Sequence, residues 1–160
     1  MKKYIAAILF TFLVGCSQIV LEPTNFAWPI ETVLDVRDDG TVSEERYSFS
    51  TNVKAVFFAE TNDSSAYKKE SVRIIRDTKG FYFMIASGFK NVYVFKADNG
   101  TFSLDNIINI SEFPLDLPAF NQRAPYIELL EGEEHVAFLN SEGNKGEENW
   151  VKFLQIALSF

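Results

Sequence analysis

Sulfur and imidazole are nearly missing from this 160-residue chain, which has one cysteine and one histidine. A lone thiol excludes an internal disulfide and a thiolate metal cluster, and a lone imidazole excludes the metal and triad sites that need several. Positive charge is short as well: 15 Lys and Arg stand against 22 Asp and Glu, a net charge of -7 with a pI near 4.8. That is the wrong sign for a surface that neutralises phosphates, so a nucleic-acid partner is excluded. The uncharged stretch Tyr4 to Val14 falls well short of the about 20 apolar residues of a stable bilayer span. Gly-x-Ser-x-Gly, the phosphate-binding loop and Gly-x-Gly-x-x-Gly are all missing. Nothing in the chain calls for a metal or cofactor.

What is present is ordinary for a folded body: 47% hydrophobic and 23% charged residues, against the disordered, collagen-like and coiled-coil classes. The N-terminus reads differently. Lys2 and Lys3 precede the apolar run Tyr4 to Val14, the layout of a secretory leader. Leu13-Val14-Gly15-Cys16 follows, and the chain's one cysteine falls there. This resembles the lipobox of bacterial lipoproteins. The resemblance implies cleavage before Cys16, a diacylglyceryl thioether on its sulfur and acylation of the new amino group. Residues 1–15 are then signal peptide, 16–29 a lipidated tether and 30–160 one β-rich domain. Losing Lys2 and Lys3 makes the mature chain more acidic still, so lipid rather than charge would hold it to a membrane. Ser17, where an Asp would resemble an inner-membrane retention signal, implies the outer membrane in a double-membraned host.

Further along, Asp38-Asp39-Gly40 between Glu31–Arg37 and Thr41–Phe49 is a hairpin signal, since Asp-Gly supplies the positive φ of tight turns. A calcium loop there fails for want of alternating ligands and a closing Glu. Asn52–Glu60 reads as another β-rich run and Thr61–Lys69 as an exposed loop. Val72–Asp77, Phe81–Ala86, Val92–Ala97 and Thr101–Ile110, parted by short Gly-containing turns, predict a four-strand antiparallel meander. Phe81 to Ala86 is apolar throughout, as a central strand covered on both sides requires. In the last strand Phe102, Leu104, Ile108 and Ile110 fall at period two on one face. The meander resembles one blade of an NHL-like propeller, but no second copy occurs, so a complete propeller is excluded.

Ser111 to Pro125, with Pro114, Pro118 and Pro125, reads as a long irregular connection. Tyr126–Leu130 and Glu134–Leu139 predict a last hairpin, and Asn140–Glu148 a polar turn region. Trp150, Phe153, Leu154, Ala157 and Leu158 follow the spacing of one helix face, predicting a short C-terminal helix. The expected fold is all-β: an antiparallel sandwich or flattened barrel of about nine or ten strands with that one helix.

Chemistry is thin. Ser65-Ala66-Tyr67-Lys68 matches Ser-x-x-Lys but lies in a polar loop, and Ser50-Thr51-Asn52 comes in the wrong order, so both are chance matches. His135 has no nameable nucleophile and reads as an edge-strand residue. The acidic pairs Asp38-Asp39, Glu44-Glu45, Glu133-Glu134 and Glu147-Glu148 read as solvated faces. Aromatics are abundant, at 16 Phe, 6 Tyr and 2 Trp. Most belong in a core, but Phe26, Trp28, Phe113, Phe120 and Tyr126 lie in Pro-punctuated segments beside Asn121-Gln122-Arg123. These eight residues form the candidate binding surface, for a sugar, a peptide or a protein. Arg123 is the one Lys or Arg between Lys96 and Lys145, a place to hold a carboxylate or planar polar group unless it pairs with Glu128. The expected function is a lipid-anchored, non-enzymatic binding or scaffolding module of the cell envelope. A lipocalin-like carrier, which lacks the usual Gly-x-Trp, and a small envelope hydrolase are the alternatives.

Overall fold

The computed structural model describes residues 27–44, 49–98 and 101–145. The predicted leader, Cys16, Phe26 and the predicted C-terminal helix lie outside the described residues. Among the described residues, eleven strands, all paired antiparallel, form three open sheets. β1 (Thr32–Asp35), β4 (Ser71–Arg76), β5 (Phe81–Ile85), β6 (Asn91–Asp98) and β7 (Thr101–Asn109) make a five-stranded sheet in the order β1-β4-β5-β6-β7. β8 (Pro118–Arg123), β9 (Tyr126–Glu131), β10 (Glu134–Asn140) and β11 (Gly143–Lys145) make a four-stranded sheet, and β2 (Thr41–Glu44) pairs with β3 (Phe49–Asn52). The fold is thus an all-β sandwich rather than a closed barrel.

The predicted meander is β4 to β7. Its middle strand β5 buries Phe83, Met84 and Ile85 completely, because alternate side chains enter layers on opposite sides of the sheet. One face carries Ile75, Phe83, Ile85, Val92, Val94 and Ile108 and packs on the four-stranded sheet, which contributes Phe120, Ile127, Leu129, Ala137 and Leu139. The other face carries Val72, Ile74, Met84 and Tyr93 and packs on a helix and on β2-β3. Trp28 joins this second layer, edge-on to Tyr82 at 5.6 Å and stacked with Phe49 at 6.2 Å.

Several expectations are corrected. Asn52–Glu60 is not a strand: Lys54–Thr61 is a helix, α1. Its composition is rich in Val and Phe, yet Val53, Val56, Phe57 and Glu60 recur at helical spacing, and the first three are buried. Asn52 Oδ1 accepts the Lys54 N–H at 3.1 Å, and Asn62, in the left-handed conformation, ends the helix with its N–H on the Phe58 carbonyl. Phe57 then meets Phe89 edge-on at 4.9 Å.

The Asp38-Asp39-Gly40 turn forms as expected, with the Gly40 N–H on the Arg37 carbonyl at 2.8 Å. The strands around it nonetheless part company: β1 pairs with β4 and β2 with β3. A tight turn fixes local direction, and the apolar faces of Leu34 and Val42 then choose different partners. In β7 the even-numbered face is broken. A bulge sets Val94 opposite Asn106 but Phe95 opposite Leu104, so Asp105 is extra and Phe102 and Leu104 lie on the opposite face from Ile108.

The irregular connection is shorter than expected, because β8 starts at Pro118. That strand is an edge of its sheet, and Pro is tolerated at its first residue. The turn to β9 contains a cis Ala124-Pro125 peptide. Within the predicted polar turn region, Gly143–Lys145 adds a short strand, β11. No helix among the described residues is long and apolar enough to cross a membrane.

Candidate functional site

The candidate surface divides when placed on the fold. Trp28 is 1% exposed and Phe120 is buried on the inner face of the four-stranded sheet, so neither presents a ring to a ligand. The proline-rich context that set them apart marked chain entry into the core, not exposure. Phe113 is 75% exposed in the 111–117 loop, before β8 begins. Gln122 shares the inner register with Ile127, and its Oε1 is buried without a hydrogen bond. Asn121, Arg123 and Tyr126 remain. Alternation puts all three on the outer face, where Asn121 stands opposite Glu128 and Arg123 opposite Tyr126.

Glu128 organises this face. Its side chain is 12% exposed, and its Oε2 accepts Arg123 Nε at 2.9 Å and Asn121 Nδ2 at 3.1 Å. Its Oε1 meets His135 Nδ1 at 3.3 Å. Burial pushes the Glu128 carboxyl up, but the hydrogen bonds and charge of Arg123, with those of Asn121 and His135, outweigh it and leave the carboxyl below its ordinary range. The pairing of Arg123 with Glu128, which the sequence offered as the alternative to a free guanidinium, is therefore present, and it takes only Nε. The Arg123 side chain remains half-exposed, at 52%.

His135 and Phe138 were invisible as partners in the sequence. Three residues apart on an ideal strand, they face opposite ways. A bulge between His135 and Ala137 shifts the register, so that His135 opposes Leu130 while Phe138 opposes Glu128, and both fall on the outer face. Their ring centroids are 4.3 Å apart, and Tyr126 lies 6.4 Å from Phe138. The result is a planar polar patch, a guanidinium, an amide and an imidazole around one carboxylate, bordered by the half-buried Tyr126 ring; Phe138 shares this face but is buried, at 6% exposure.

Other candidate chemistry resolves into local structure. Ser65 places its N–H and its hydroxyl on Asp63 Oδ1, both at 2.8 Å, which makes the Ser-x-x-Lys segment a turn. Asp39 Oδ1 accepts the Thr41 N–H at 2.9 Å, and that bond lowers its pKa. Glu60 ties α1 to the sheet: Oε2 accepts the Lys90 N–H, and Oε1 accepts Asn91 Nδ2 and the Tyr93 hydroxyl. Desolvation, with this bond and the carboxylate charge, raises the Tyr93 pKa. Among the described residues no three His, Cys, Asp or Glu side chains gather into a group that would hold a metal ion. Comparison with known proteins gives no match to the chain, whether from protein families, from curated proteins or from solved structures.

Proposed function

We propose that this chain is a lipid-anchored, non-enzymatic binding module of the cell envelope. The observation that carries the anchoring is Leu13-Val14-Gly15-Cys16, with the chain's one thiol at the position that lipoprotein processing would modify. Several acyl chains on one residue hold a protein to a bilayer durably, at about 0.8 kcal/mol per buried CH₂. With Ser17 next, the destination in a double-membraned host is the outer membrane. The binding part of the proposal rests on the outer face of the β8-β9-β10 sheet, where Arg123 is held by Glu128 yet half-exposed. The carrier alternative needs a closed wall around its ligand, and open sheets do not favour it.

The test has two arms. Cells expressing the full-length chain are labelled with radioactive fatty acid, and Cys16→Ser is expected to abolish labelling and leave an unprocessed precursor; continued labelling of that variant ends the anchoring claim. The native protein and Arg123→Ala are then used for affinity capture from the envelope, after checking that both melt at one temperature. Equal recovery of every partner removes the outer face from the proposal.

A further inference from the structure

We infer that the Arg123–Glu128–His135 cluster is a subsite for a hydroxylated carboxylate of the sugar-acid class; this rests on the binding-module reading above and gives it a ligand class. Glu128 takes Arg123 through Nε alone, at 2.9 Å. The two terminal nitrogens have no acceptor among the described residues, and a guanidinium edge of that kind matches both oxygens of a carboxylate.

The imidazole supplies the complementary group. An ionised carboxylate can only accept, so in the contact of Glu128 Oε1 with His135 Nδ1 the ring nitrogen is the donor, and whenever the ring is neutral its one proton is on Nδ1. Nε2 is then left as an acceptor, and a ligand hydroxyl can donate to it. Because Arg123 and His135 are held by the two oxygens of one carboxylate, a donor pair for a carboxylate and an acceptor for a hydroxyl stand within the reach of one small ligand. Tyr126, half-buried on the same face, offers an apolar ring surface of the kind sugar rings pack against.

A peptide strand fits less well. Strand addition needs a free sheet edge, and the outer edge of β8 is taken: Ile30 bridges Asn121, and Glu31 Oε2 accepts the Phe120 N–H at 2.8 Å. Long-range attraction does not help an acid either, since the chain is net negative. Recognition has to come from short-range pairing, which suits a small, multiply hydrogen-bonded ligand.

His135 is the one histidine of the chain, so its Cε1–H gives a single reporter signal in a carbon-edited NMR spectrum. The full-length protein in detergent is titrated with glucuronate, glucose and N-acetylglycine at fixed pH. Glucuronate is expected to shift the signal saturably, with neither glucose nor N-acetylglycine matching it. Arg123→Lys, which keeps the charge but loses the paired donors, should weaken the response about tenfold. Glu128 is a positioning residue: Glu128→Gln should move the His135 ring nitrogen shifts away from the Nδ1–H pattern and weaken glucuronate while leaving the protein folded at the temperature of the titration. No saturable shift with glucuronate, or an undiminished one in Arg123→Lys, overturns the proposal. An equal response to N-acetylglycine overturns the sugar-acid class in favour of a peptide carboxylate. If glucuronate fails while Arg123→Ala still loses a captured partner, only the ligand class falls and the binding-module reading stands.

Discussion

Glu31 and Phe120 lie 89 residues apart, yet the Glu31 carboxylate accepts the Phe120 backbone N–H at 2.8 Å and so closes the edge of one sheet from the entrance of the other. Its second oxygen pairs with Arg73 on β4. One side chain thereby satisfies an edge-strand donor and clamps the two layers of the sandwich. Glu31→Ala strips both partners and is expected to cost roughly 1–3 kcal/mol, measured by urea denaturation. Glu31→Gln, which keeps an acceptor for Phe120, should lose less. Equal losses for the two variants would show that charge on Arg73, not the backbone bond, dominates.

Gly40 makes a second prediction. Its φ is +77, and a Cβ there would lie 2.4 Å from Lys54 Cγ, beneath the first turn of α1. Gly40→Ala therefore meets two obstacles, an unfavourable backbone and a steric one, and should destabilise by about 1–2 kcal/mol. The Lys54 stem is exposed and able to move, so adding Lys54→Ala should recover the steric part only. Full recovery in thermal melts would mean that the left-handed turn costs nothing.

Asp77 is 4% exposed, and its Oδ1 accepts the Lys79 and Phe81 N–H groups at 2.9 Å each. Burial raises its pKa against those bonds. A carboxylate whose pKa is raised by folding contributes stability below its unfolded pKa, about 3.9, and loses it as pH rises through the folded value. At pH 7 the ionised group is thus a burden. Asp77→Asn, which keeps the acceptor, is expected to be at least as stable as wild type at pH 7, with the difference shrinking toward about pH 4. Asp77→Ala should lose about 1–3 kcal/mol by leaving the turn donors unmet. Chemical denaturation at the two pH values decides it.

Glu128 behaves in the opposite sense. Its pKa is lowered, so its contribution is present above the unfolded value, about 4.3, and is lost as pH falls through the folded one. Acid should therefore release Arg123 before the core melts, seen as increased exchange of the Arg123 Nε proton. In Glu128→Gln that acid step should vanish; if it persists, another carboxylate is responsible.

The sequence by itself determined the apolar strand faces of this protein and the pairings between neighbours in the chain, and left sandwich against barrel open. Apolar alternation in Val72–Asp77 and Phe81–Ala86, with Gly at the turns, was enough for the meander, because each strand there pairs with its neighbour in the chain. The pairing of Arg123 with Glu128 was legible for the same reason, a short hairpin. Only the tertiary structure decided the rest. Val53, Val56, Phe57 and Glu60 carried a helical spacing inside β-prone composition, and α1 became a helix because Phe89 and Tyr93 offered a surface for that face. Trp28 and Phe120, marked as exposed by their prolines, were drawn into the core because burying a large ring outweighs local chain irregularity. His135 joined Phe138 only through a bulge, a register shift that appears only in the pairing of β10 with β9. Local pattern fixes which face of a segment is apolar, and the competition among faces for a shared core fixes what that segment meets.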